Sequence, residues 1–147
     1  MTHFADKEYK VLRTTYLLLI AGVLAYFIIA LFQKKEVLLF DNINISDFRI
    51  LISLSISLAI LYTGNTYFNK KLINLKNYKG LMRKKIQFYI DATIMRLFSI
   101  EFAVILNILF FKQTNNLIFA LLALIFIFYI FYKMPKRTNF NAFFNKK

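Results

Sequence analysis

Cysteine is absent, histidine occurs once, proline once and glycine three times in 147 residues. Without cysteine there are no disulfides, no thiol chemistry and no thiolate metal ligands, so the redox compartment cannot be read from the chain. His3 lies in a terminal arm, where a side chain is ordinarily solvated, and no cofactor is expected. A Gly-rich phosphate cradle cannot be built from the glycines present, and Ser53 and Ser57 have no base nearby in sequence. Asp41 and Asp47 flank a loop with Asn42 and Asn44, but no calcium-loop spacing appears. We therefore expect no enzyme. With so little Gly and Pro, most helices should run unbroken.

Hydrophobic residues are abundant instead, 59% of the chain with 18 Phe, too many for a soluble domain. Four nearly uncharged windows stand out at 14–33, 50–69, 92–111 and 113–132; the third is interrupted by Arg96 and Glu101. A window of about twenty residues makes a helix of roughly 30 Å, the thickness of a hydrocarbon core. Alternation of Ser53, Ser55 and Ser57 with aliphatics is too local to close a β-barrel. The expected architecture is all-α: one integral membrane domain over 1–147, a bundle of four transmembrane helices near 14–33, 48–69, 90–111 and 115–133. The first span is long enough to be a retained helix, not a removed signal.

The formal net charge of +13 is distributed by segment. Lys7, Lys10 and Arg13 precede the first span, and Lys70, Lys71, Lys76, Lys79, Arg83, Lys84 and Lys85 join the second to the third. Lys133, Lys136, Arg137, Lys146 and Lys147 follow the fourth, whereas the last loop has only Lys112. By the positive-inside rule, both termini and the central connection are cytoplasmic. Glu36, Asp41 and Asp47 fall in the first loop, on the opposite face. Charge beside span ends argues against a nucleic-acid partner and for anionic lipid headgroups. Lys76, Lys79, Arg83, Lys84 and Lys85 are the expected headgroup contacts, and the expected location is a bacterial inner membrane, crossed several times.

Several faces can be assigned. Ala21, Gly22 and Ala25 permit close approach of another helix, as do Ser53, Ser57 and Gly64 on the second helix. Ser53 and Ser57 are expected to bond across that contact; bonding back to their own helix is the alternative. Leu75, Tyr78, Met82, Ile86 and Tyr89 form a stripe beside Lys76, Lys79, Arg83 and Lys84. That pattern reads as a cationic amphipathic helix at the cytoplasmic interface between helices 2 and 3, with Gly80 a candidate break. Pro135 stops the last span, and Phe140, Phe143 and Phe144, after Asn139, are expected to lie on the membrane.

The third helix holds the candidate chemistry. Glu101 lies midway between Asp91 and Lys112, so it is expected near the bilayer centre, where ionisation costs a few kcal/mol by insertion scales. It must pair or stay protonated, and the neutral form is expected in the isolated chain. Arg96 is five residues away, about 140° around the helix, and cannot be its partner. Arg96 instead joins Ala92, Ser99, Ala103 and Asn107 in a small, polar stripe facing the other helices, and can snorkel. Glu101 lies opposite, among Ile94, Leu97, Ile105 and Ile108. Either it faces a second subunit or partner, or the other helices cover it; Tyr26 and Ser57 are then the neutral groups at matching depth.

One buried Glu in a small four-helix protein resembles the small multidrug-resistance transporters in architecture, though they carry their Glu in the first helix and hold more Gly. Rotor proteolipids share a buried carboxylate but need Gly and Ala for ring packing. From Gln87 to about Phe144, the order of Arg96, Glu101, Asn115 and Asn116, then Pro135 and Lys136, resembles a group of small, uncharacterised bacterial membrane proteins. That resemblance implies that Arg96, Glu101, Asn116 and Pro135 are defining positions and brings no activity with it. The expected role is an accessory or interaction subunit, a homo-oligomer or a companion of another membrane protein, associating through the Glu101 helix. The alternative is a proton-coupled transporter or ion-translocating oligomer using Glu101.

Overall fold

A computed structural model describes residues 2–34, 43–78, 80–138, 140 and 144, with side chains from Lys7 onward. Among these residues the chain is all-helical: α1 (Thr2–Gln33), α2 (Phe48–Lys76), α3 (Met82–Thr114) and α4 (Leu117–Tyr132). Three helices are long and apolar enough to cross a membrane, while α4, at 16 residues, is shorter. At about 1.5 Å per residue α4 measures roughly 24 Å. It nevertheless runs the length of the bundle's apolar part, because Tyr16, midway along α1 where its apolar window begins, donates to the carbonyl of Ile130 near the end of α4 (3.2 Å). Tyr9 donates to the Pro135 carbonyl beyond it (3.0 Å), so the start of α1 and the end of α4 share one end. That end, rich in Lys and Arg, is called the basic end below.

Helix α3 is the hub. It packs on α2 along one side and on α4 and α1 along the other, and its apolar window is 44% buried against 28% for α1 and 22% for α2. The stripes that meet are regular: Tyr9, Leu12, Tyr16, Ile20, Val23, Phe27 and Ala30 recur on α1 at three- and four-residue steps, and all are buried. Large apolar side chains point outward instead, among them Leu18, Phe32, Leu51 and Phe128, while Ser53, Ser57, Thr93, Glu101 and Asn107 lie inside. An apolar exterior around a partly polar interior suits hydrocarbon as the surrounding medium. Asp47 caps α2 by accepting from the Arg49 amide (3.0 Å) and Asn116 caps α4 by accepting from Ile118 (3.2 Å). Left-handed Asn115 (φ 56°) ends α3.

Several sequence expectations are corrected. Helices α1, α2 and α3 outrun the apolar windows at the basic end, because charged residues leaving hydrocarbon still continue a backbone ladder. The arm before residue 14 therefore belongs to α1, and among the described residues no separate interfacial helix joins helices 2 and 3. Its stripe is split by the turn after Lys76, so that Leu75, Ile86 and Tyr89 fold inward with Tyr9, Leu12 and Phe140 into a second apolar cluster. Phe140 is fully buried, 5.5 Å from the Tyr9 ring and 5.4 Å from that of Tyr89, so at this residue the tail packs on the bundle and not on lipid. Ala21, Gly22 and Ala25 face outward, and a Cβ at Gly22 would meet nothing within 4 Å. Glu36, Asp41, Asn42, Lys79, Asn139, Phe143, Lys146, Lys147 and the His3 side chain lie outside what is described.

Candidate functional site

Polar chemistry in the apolar part of the bundle is concentrated on α3, at three levels. The deepest is Asn107. Ser53 donates to its Oδ1 (2.8 Å), and its Nδ2 donates to Ser57 (3.0 Å) and to the Ala103 carbonyl (2.7 Å). Both serines and Asn107 have no exposed surface, so each bond replaces one that water cannot supply. Close approach of α2 allows this contact, since a Cβ on Gly64 would collide with Ser99. The expected face of Ser53, Ser57 and Gly64 and the stripe of Ala92, Arg96, Ser99, Ala103 and Asn107 thus meet each other. Thr93 and Ser99 do bond back to their own helix, to Tyr89 and Met95, but Ser53 bonds across.

Six residues toward the basic end, about 9 Å along the axis, lies Glu101. It is 6% exposed, and its Oε1 is buried without a hydrogen-bond partner. Of the two sequence alternatives, the structure adopts burial within the chain's own helices. Counting equally from the Asn115 and Asn116 turn, Asn107 faces the middle of α4 and Glu101 a point near Ile130. Neither expected neighbour serves it: Ser57 is engaged by Asn107, and half-buried Tyr26 lies toward the other end, its ring 5.8 Å from Lys112 Nζ. Tyr16 donates to the Ile130 carbonyl at that level of α4. Its seven-residue spacing from Tyr9 was the signal available in the sequence.

Arg96 marks the third level. Its Nη2 donates to the Lys133 carbonyl (3.2 Å), its Cζ sits 3.9 Å from the centre of the Phe68 ring, and its Nε is buried without an acceptor. The side chain thus reaches the end of α4 and makes no ion pair with Glu101. Among the expected headgroup contacts, Lys76, Arg83 and Lys84 are exposed and Lys85 is half-buried. At the opposite end, Asn116 also donates to the Asn44 carbonyl (2.7 Å), tying the first connection to the α3–α4 turn. Compared with family models, with curated proteins and with solved structures, the chain shows no match.

Proposed function

We propose that this chain is a multi-pass protein of a bacterial inner membrane, its termini cytoplasmic, serving as an accessory or interaction subunit that associates through α3. The observation that carries this reading is the bare Oε1 of Glu101. A carboxyl enclosed in hydrocarbon without a donor is costly, so its retention points to a state in which something satisfies it. Beside it on α3, Phe98, Phe102 and Ile105 are exposed. Rotation of the Glu101 side chain toward that face would meet a partner helix carrying a hydrogen-bond donor or cation at the same depth. Such a bond is worth about 1 kcal/mol in a membrane, enough to select a partner whose packing supplies the rest.

The natural lack of cysteine permits a direct test. A single cysteine replacing Phe102 should form a defined cross-linked adduct in native membranes, whereas one replacing Phe128, exposed on α4, should not. Glu101→Gln should keep the adduct and Glu101→Leu should lose it. An adduct indifferent to Glu101→Leu, or absent at residue 102, refutes association through this face.

The enclosure of Glu101 favours a second reading, a proton site in a small transporter. Proton flux in liposomes that Glu101→Gln abolishes, with assembly intact, would support it, because the amide replaces the hydrogen bond but carries no transferable proton.

A further inference from the structure

At the basic end α4 stops short of closing against α2 and α3. The gap is a cavity of about 390 Å³, walled by Phe68 and Leu72 of α2, Arg96 of α3, and Lys133 and Lys136 beyond α4. Among the described residues its lining contains three cationic side chains and no carboxylate. We propose that this cavity binds an anionic phosphate ester, with Arg96 as its principal ligand.

Three observations support the assignment. Arg96 is held in place from two sides, by the Phe68 ring at 3.9 Å and the Lys133 carbonyl at 3.2 Å, which removes much of the entropy a free arginine would lose on binding. Only one of the guanidinium's five donors is used in that bond, and the planar fork matches phosphate oxygens. Lys133 is likewise positioned, its Nζ 5.3 Å from the Tyr129 ring centre and 5.1 Å from that of Tyr132. The apolar side of the cavity, Phe68 and Leu72, accommodates the carbon part of an ester. Arg96 is level with the end of α4, where headgroup phosphates would lie, yet a phosphate ester from solution presents the same chemistry.

The test uses the full chain in zwitterionic detergent and native mass spectrometry, with phosphatidylglycerol, phosphatidylcholine and soluble glycerol phosphate as probes. Phosphatidylglycerol should be retained over phosphatidylcholine, whose choline cation the cavity lysines repel, by roughly tenfold. Arg96→Gln should abolish the preference. Lys136→Gln, at an exposed position that folding does not need, should lower it roughly threefold, and Lys10→Gln, exposed and outside the cavity, should leave it unchanged. Displacement of the lipid by millimolar glycerol phosphate identifies a site open to soluble esters, and retention identifies a headgroup site. Equal retention of the two lipids overturns the proposal. So does a preference that Lys136→Gln leaves undiminished, or one that falls as far with Lys10→Gln.

Discussion

Asn107 and Glu101 occupy the same helix six residues apart, and the bundle treats them in opposite ways. Asn107 is bonded by Ser53, Ser57 and Ala103. Glu101, also buried, has a bare oxygen. The difference lies in what each faces. Asn107 points at α2, whose serines and Gly64 bring hydroxyls and backbone within reach. Glu101 lies on the side where α1 and α4 supply almost entirely aliphatic and aromatic groups. A neutral amide and two hydroxyls can satisfy one another without charge, which makes the α2–α3 seam a structural element. The carboxyl has no such company, and a group that costs stability without returning it is the better functional candidate.

The contrast can be broken most severely at Gly64. Gly64→Val forces the side chain into Ser99, should separate α2 from α3 and cost about 3 kcal/mol in unfolding from mixed micelles, with partial rescue by Ser99→Gly. Asn107→Leu should come next, at about 2 kcal/mol, because it strands Ser53 and Ser57 and removes three bonds. Glu101→Leu should have the opposite sign and raise stability by about 1 kcal/mol in the same assay, since it replaces an unsatisfied acid with an apolar group of similar size. Loss of stability there would show that Glu101 is satisfied after all and would erase the contrast. Gly22→Leu should change monomer stability by less than about 0.5 kcal/mol, because open space surrounds the position.

Much of the α2–α3 seam was legible from spacing alone. Ser53, Ser57 and Gly64 share one face of a helix by arithmetic, and so do Ala92, Arg96, Ser99, Ala103 and Asn107; small and hydroxylated residues have little reason to face lipid. The same reasoning failed for Ala21, Gly22 and Ala25, because small size permits close approach without requiring it. It failed too for the stripe from Leu75 to Tyr89, where a turn divides what periodicity reads as one surface. Burial of Phe140 against Tyr9 and Tyr89 joins residues more than fifty positions apart in sequence, and no local pattern encodes that. Glu101 was identified as the unusual residue, but a helical wheel gives only its angle, and how many helices surround α3 is not written on α3.

By itself, the amino-acid order determined that the chain forms apolar helices with interrupted charge, that a carboxyl sits within one of them, and which end of the bundle is basic. These follow from the cost of polar groups in hydrocarbon and the fixed rise of a helix, both local properties. Only the tertiary arrangement decided that α3 is the hub, that Asn107 is satisfied while Glu101 is not, and that Arg96, Phe68 and Lys133 enclose a cationic cavity. Those outcomes depend on which faces of separate helices come together, and in lipid, where apolar surface alone does not choose a partner, shape and hydrogen bonding make that choice.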